Sequence, residues 1–160
     1  IIICDFWCLV SSLVMSYSLS FVGYHQRRKL TRNVVDWFIN HQKLNRFNIF
    51  LDINDRRCRN TDGNNGTCGI LDDLHRPRVF EIEMDNMQDD EEYISTLLHE
   101  LTHVEQRVRG THQYRVGWKD YSKWKGKRIE DNIPYDLLPW EIEAYEQEKK
   151  LTCEYLAALL

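Results

Sequence analysis

The segment His99-Glu100-Leu101-Thr102-His103 decides how the rest of this sequence is interpreted. It reads H-E-x-x-H and lies inside a longer run with the pattern of a helix. Residues four apart lie on one face of an α-helix, with their Cβ atoms about 5–6 Å apart. The imidazoles of His99 and His103 can therefore bind one metal ion together, and Glu100 lies beside them as a base for a water molecule. The segment thus indicates the metal site of a zinc-dependent hydrolase.

The residues around this motif carry the start, the apolar face and the end of an amphipathic helix. Asp89 and Glu92 have the spacing of a capping box, with more acid in the same turn. Basic residues and then Gly110 mark the far end, where positive charge and glycine are favoured. The apolar positions recur at steps of three and four: Ile94, Leu97, Leu98, Leu101, Val104 and Val108. We therefore expect a helix whose two histidines lie at the border of a core.

A catalytic zinc usually takes three protein ligands, and the motif supplies only two. His112 does not complete the metzincin pattern H-E-x-x-H-x-x-G-x-x-H, because positions 106 and 109 are Gln and Arg. The other source is a second helix, which Pro139 can begin. Glu141 and Glu143 lie in its first turns, and we favour Glu141 as the third ligand over Glu143. The alternative is that both carboxylates only complement the helix dipole.

The combination of H-E-x-x-H with a later helix carrying E-x-x-A resembles the gluzincin metallopeptidases. The matching segment is Glu141-Ile142-Glu143-Ala144-Tyr145, in which Tyr145 stands where that family often has Asp or Asn. The segment Leu138 to Tyr145, with Trp124-Lys125-Gly126-Lys127 ahead of it, also resembles small phage-encoded proteins assigned as metallopeptidases. The resemblance covers roughly Phe47 to Leu160. This resemblance implies that Glu141 is the third zinc ligand and that the substrate is a peptide or protein.

The remaining pattern predicts an α+β fold. Helices are expected from Thr31 to about Leu44 and after Pro139, strands around residues 47–54 and 67–71, and an irregular segment at residues 111–138. Val79 to Met84 alternates apolar with acidic residues, which indicates a strand, and the resemblance implies an edge strand that pairs with substrate. An ordinary amphipathic strand is the alternative.

We expect a small antiparallel sheet packed on the H-E-x-x-H helix, with an N-terminal helix and a C-terminal ligand-bearing helix, a minimal zincin-like arrangement. The buried face expected for the last helix comprises Trp140, Ile142, Ala144, Tyr145, Leu151, Tyr155, Leu156 and Leu159.

Peptide hydrolysis also needs a donor for the oxyanion, besides Glu100 as general base. Tyr135, Tyr121 and His112 lie in the segment that could supply it, and we favour Tyr135. The rival hypothesis is a non-catalytic zinc protein, structural or peptide-binding, such as a phage component. Glu100 discriminates the two, because a purely structural site has no use for it.

Composition limits the remaining possibilities. The length of 160 residues suits one domain, and the net charge of −4 gives no electrostatic case for nucleic acid.

We separate a nearly uncharged N-terminal segment, residues 1–24, from a metallopeptidase-like domain at residues 25–160. That segment is an anchor, a non-spanning segment or translation upstream of Met15; its serines and the lack of a preceding basic region disfavour the anchor. A cytoplasmic or virion-associated protein is therefore favoured. Cys58 and Cys68 flank a turn, where they are either reduced or paired.

Overall fold

A computed structural model of the chain describes residues 17–23, 25–57, 63–116 and 119–160. Its three helices are α1 (Arg28–His41), α2 (Asp90–Arg109) and α3 (Pro139–Ala158). Its strands are β1 (Tyr17–Val22), β2 (Ile49–Arg56), β3 (Gly66–Ile70), β4 (Val79–Asp85), β5 (His112–Arg115), β6 (Tyr121–Trp124) and β7 (Lys127–Arg128). A short 3-10 helix spans Tyr135–Leu137. The predicted α+β class is confirmed.

The main sheet has the strand order β1-β2-β4-β3. The first three of these strands are parallel to one another, and only β3 runs antiparallel to its neighbour. The sheet is therefore mixed, and the prediction of a small antiparallel sheet is wrong for it. Parallel neighbours need a long crossover connection, which α1 supplies between β1 and β2. Apolar alternation within a strand does not reveal the direction of its partner, so the pattern could not distinguish the two arrangements.

The strand β4 lies inside this sheet, between β2 and β3. The prediction of an edge strand at Val79–Met84 is therefore wrong, and among the described strands β3 forms that edge of the sheet. One of the acidic residues of this strand has a partner within the sheet, since Glu83 forms an ion pair with Arg56 of the neighbouring β2.

The helices and the main sheet share one apolar core, which places α2 against β3 and β4. The inward residues of β2 and β4 alternate as their sequence pattern predicts. Members of the core include Val34, Phe38, Ile49, Leu51, Ile53, Phe80, Ile82, Leu97, Leu98, Leu101, Val104, Leu151 and Tyr155.

The helix α2 begins and ends as the sequence predicts. The side chain of Asp89 accepts a hydrogen bond from the backbone N–H of Glu92, and Gly110 ends the helix in the left-handed conformation with φ 75°. The first helix starts earlier than expected, at Arg28. Thr31 is consequently not its cap; it lies buried inside α1 with its hydroxyl hydrogen-bonded to Tyr93.

The segment between α2 and α3 is not irregular, as predicted, but contains a second sheet. Strands β5, β6 and β7 pair in antiparallel fashion in that order. The buried face of α3 is also narrower than predicted. Ile142, Tyr145 and Leu159 are exposed, whereas Glu141, Ala144, Leu151 and Tyr155 are buried.

The main sheet extends into the N-terminal segment that the sequence analysis set apart. Its strand β1 pairs with β2 from Tyr17 opposite Ile49 to Val22 opposite Asn54. Met15 and Cys58 lie outside the described residues, while Cys68 and Cys153 are free thiols. None of the helices in the described ranges is long and apolar enough to cross a membrane.

Candidate metal centre

The structure brings His99, His103 and Glu141 together at the contact between α2 and α3. The Nε2 atoms of the two histidines are 3.2 Å apart. The Oε2 atom of Glu141 lies 3.4 Å from each of them. The three residues therefore direct one atom each to a common point.

This triangle of atoms fits a single tetrahedral metal ion. Ligand atoms bound at about 2.0–2.1 Å in tetrahedral geometry lie about 3.3 Å from one another. In addition, Oε2 of Glu141 is buried and has no hydrogen-bond partner among the described residues. A buried carboxylate oxygen without a donor is costly, and a cation between the three atoms would remove that cost.

Both imidazoles are oriented by acceptors on their outer nitrogens. Nδ1 of His99 lies 3.1 Å from Oε2 of Glu148, and Nδ1 of His103 lies 3.0 Å from Oε1 of Gln106. Carboxylate and amide oxygens only accept hydrogen bonds, so each Nδ1 carries a proton, and the lone pair of the neutral imidazole is then on the inward-facing Nε2. This is the arrangement by which proteins hold histidine ligands in the correct tautomer.

The charges around this centre shift its titrations strongly. Burial lowers the pKa of His99, but neighbouring Glu141 and Glu148 outweigh burial and raise it to about 9. Conversely, burial raises the pKa of Glu141, but the imidazoles of His103 and His99 dominate and lower it to about 2. Without a metal ion the centre therefore holds a proton. A metal ion would have to displace that proton to bind.

Sequence reasoning did not identify Glu148 or Gln106, although a signal for Glu148 exists. The buried positions of α3 include 141, 144, 151 and 155, which leaves a step of seven between Ala144 and Leu151. Glu148 divides that step into four and three, the spacing of one helix face. Its partners confirm the inward direction, because it also accepts a hydrogen bond of 2.6 Å from Ser95 on α2.

Glu143, the alternative third ligand, points to different partners. Its carboxylate accepts hydrogen bonds from Gln106 at 3.1 Å and from Lys125 at 3.0 Å. It does not belong to the group of ligand atoms formed by the two histidines and Glu141.

Glu100 is buried beside the metal centre and close to β3. Burial raises the pKa of its carboxyl to about 7, even though the charges of His103 and His99 act in the opposite direction. The strand β3 approaches so closely that a Cβ atom on Gly66 would lie 3.0 Å from Oε1 of Glu100. Glycine at position 66 therefore leaves the space that the Glu100 side chain occupies.

The candidate metal centre opens into a cavity of about 750 Å³ between β3, α2 and the start of α3. Two of the candidate oxyanion donors, Tyr135 and His112, line this cavity together with His99, His103 and Glu141. Tyr121 is not among the lining residues; it lies in β6 with the guanidinium of Arg128 over its ring at 4.6 Å. The structure thus brings Tyr135 and His112 to the site and leaves Tyr121 outside it.

Comparison with known proteins gives no further guidance. No protein-family model, curated protein or solved structure matches the chain.

Proposed function

We propose that this chain is a zinc-dependent metallopeptidase. The observation that carries the proposal is the triangle of ligand atoms from His99, His103 and Glu141, with separations of 3.2, 3.4 and 3.4 Å, at the base of an open cavity. Two imidazoles and one carboxylate are a donor set typical of catalytic zinc, which keeps a further position open. Zinc bound there would supply a Lewis acid that polarises a peptide carbonyl and brings the pKa of a water close to neutrality.

Glu100 is the proposed general base. Its carboxylate would accept a proton from the attacking water and deliver that proton to the amine nitrogen that leaves. In the metal-free centre burial raises the pKa of this carboxyl to about 7, and a cation bound beside it would favour the ionised form that accepts the proton.

Tyr135 is the proposed donor to the oxyanion of the substrate. It lines the cavity next to Glu141. Partial burial and the charge of Glu141 raise the pKa of Tyr135 further above its usual value of 10, so that its hydroxyl is protonated at neutral pH and able to donate. The side chain as a whole is 64% exposed, so that a substrate in the cavity can reach it.

The edge of β3 is the proposed docking site for an extended substrate, in place of Val79–Met84. Gly66, Thr67, Cys68 and Ile70 of this strand line the cavity. An edge strand offers backbone groups with which a peptide can form a further strand. The peptide would then pass over the ligand atoms with its carbonyls near Glu100 and Tyr135.

The resemblance to gluzincins supports the same assignment, since it also places the third ligand at Glu141. The resemblance extends to small phage-encoded proteins, and a cytoplasmic or virion-associated location stays a prediction from the sequence.

The proposal is tested by the substitution Glu100→Gln in the zinc-loaded protein. We expect zinc content to be retained and cleavage of a peptide library to fall at least about 100-fold, because the proton acceptor is lost. Glu91→Gln, an exposed change on the same helix, is the matched control and should cleave normally. If the wild-type protein binds zinc but cleaves no peptide that the Glu100→Gln variant leaves intact, the result would instead support a non-catalytic zinc protein.

Two further variants test the individual roles. Glu141→Ala should lower zinc affinity far more than Glu143→Ala, and the reverse order would move the ligand assignment to Glu143. Tyr135→Phe should retain zinc and lower the turnover of a cleaved peptide more than it raises KM, because the lost hydrogen bond belongs to the transition state. An unchanged turnover would remove Tyr135 from the mechanism.

A further inference from the structure

A cationic side chain lies in the cavity beyond the proposed metal ligands. Arg107 is on α2, four residues after His103, and lines the same cavity. Four residues correspond to about 6 Å along the helix axis, so that its backbone is one turn beyond His103.

Arg107 has no counter-ion in the part of the chain that the structure describes. No carboxylate there lies within ion-pair distance of its guanidinium, although three glutamates line the cavity. Arg109, two residues later, contrasts with it: Arg109 pairs with Glu105 at 2.6 Å and donates to the backbone oxygen of Gln42 at 2.6 Å. Burial lowers the pKa of Arg107, yet a guanidinium stays charged at any physiological pH. A partly buried cation of this kind needs an anion from elsewhere.

Cys68 on β3, whose thiol interacts electrostatically with Arg107, does not provide that anion. Burial and the charge of Glu100 raise the pKa of its thiol far above its usual range, against the opposing effect of Arg107. Cys68 is therefore a neutral neighbour of the guanidinium, whose charge has no compensating anion among the described residues.

A second unpaired donor lies in the same part of the cavity. His112 is buried, stacks on the indole of Trp140 with ring centroids 3.9 Å apart, and lines the cavity. Its Nε2 atom has no hydrogen-bond partner among the described residues. Burial, together with the charges of Arg107 and His103, lowers the pKa of His112 to about 3, so that the ring is neutral. A neutral ring carries one N–H, which can be donated at Nε2.

From these two groups we infer that Arg107, with His112 beside it, binds a carboxylate of the substrate next to the metal centre. A carboxylate accepts two parallel hydrogen bonds from a guanidinium and a further one from Nε2 of His112, which satisfies both groups at once. The inference rests on the proposed peptidase function and adds the substrate class: peptides with a carboxylate near the bond that is cut. That carboxylate is either the C-terminus or an Asp or Glu side chain.

The test uses four thiol probes with the zinc-loaded full chain, because a thiolate binds zinc directly. The probes are mercaptoacetyl-Ala-Ala as free acid and as amide, and mercaptoacetyl-Ala-Glu amide and mercaptoacetyl-Ala-Gln amide. We expect at least one acidic probe to bind about tenfold or more tightly than its neutral counterpart by calorimetry. A preference for the free acid over the amide of mercaptoacetyl-Ala-Ala would identify the bound carboxylate as a C-terminus. A preference for the Glu probe over the Gln probe would identify it as a side chain.

Arg107→Met should reduce this preference to nearly one while the affinity for the neutral probes stays unchanged. Arg32→Met, an exposed change on α1 that alters net charge equally, should leave the preference intact. Equal binding of acidic and neutral probes to the wild type, or a preference that survives Arg107→Met, would overturn the inference without touching the peptidase proposal. Failure of every probe to bind zinc-loaded protein would count against the metal site itself.

A second measurement does not depend on the probes. If Arg107 serves ligand binding, the melting temperature of Arg107→Met should equal or exceed that of the wild type, because an unpaired, partly buried charge is removed. A fall of several degrees would show that Arg107 serves the fold instead, and would overturn the inference.

Discussion

Glu148 is the side chain on which the orientation of His99 depends. Removing the carboxylate in Glu148→Ala should lower zinc affinity about 10–100-fold, because the outer nitrogen of His99 loses its acceptor. Competition with a chromogenic chelator measures this affinity. Glu148→Gln keeps an acceptor and should lose less, and Glu146→Ala, an exposed change on the same helix, should lose nothing. Wild-type affinity in Glu148→Ala would mean that His99 needs no such support.

Gly66 is the second residue whose identity the site requires. An added Cβ would lie 2.8 Å from Cγ2 of Thr96 and 3.0 Å from Oε1 of Glu100. Gly66→Ala should therefore destabilise the protein by about 1–3 kcal/mol through overpacking. It should also reduce peptide cleavage while zinc is retained, because it displaces Glu100 and not a ligand. Urea unfolding, zinc content and a cleavage assay measure the three effects.

Gly69→Ala on the same strand is the matched control. A Cβ there meets only the backbone oxygen of Glu81 at 3.7 Å, an ordinary contact. Equal losses at positions 66 and 69 would indicate a general intolerance of alanine in β3 and remove the special role of Gly66.

For single residues, the sequence predicts the contacts that follow from spacing within one helix. His99, Glu100 and His103 share one helix, so their proximity follows from helical geometry. Gly66 acts across a contact between β3 and α2, and Gln106 holds His103 while donating to the backbone oxygen of Trp140. Such contacts depend on how distant segments pack, which no short pattern encodes.

Among the elements, α2 carries the clearest sequence signals, and its cap gives a measurable prediction. Asp89→Ala removes the acceptor for the backbone N–H of Glu92 and should cost about 1 kcal/mol in the free energy of unfolding. Zinc affinity should change little, because the cap is two to three turns away from His99. Glu91→Ala should cost only a few tenths of a kcal/mol. A large loss of zinc affinity in Asp89→Ala would mean that the whole helix shifts when its cap is removed.

The strand order of the main sheet could not be predicted from the patterns of its individual strands. Residues of β2 and β4 alternate clearly, and both strands were expected. Their parallel pairing and the internal position of β4 depend on the path of the connections. The strand that borders the cavity, β3, contains two glycines and little apolar alternation, so that its sequence gives a weak signal for a sheet edge.

For the molecule as a whole, the shifted titrations predict how the metal-free protein responds to pH. The pKa of His99 is raised from 6.5 in the unfolded chain to about 9 in the fold. Protonation of His99 therefore stabilises the fold fully below pH 6.5, and this stabilisation is lost as the pH rises to 9. The raised pKa of Glu100, about 7, acts in the same direction between pH 4.5 and 7. The melting temperature of the metal-free protein should therefore fall from pH 6 to 9.

Zinc should counter this fall, because it replaces the proton on His99 and binds better as the proton is released. The difference in melting temperature between zinc-loaded and metal-free protein should widen from pH 6 to 9 in a thermal shift series. In metal-free Glu100→Gln, the part of the fall below pH 7 should become smaller. A melting temperature of the metal-free protein that rises over this range would contradict the predicted shifts.

The distribution of the ligand atoms over two helices has a consequence for cooperativity. Two of them come from α2 and the third from α3, so the complete centre exists only while α3 is docked. A ligand that binds only the docked state stabilises docking by the full free energy of its binding. Amide hydrogen exchange in the first turns of α3 should consequently slow when zinc is added, so that α3 reports the occupancy of a centre whose first residue, His99, lies 40 residues before that helix begins.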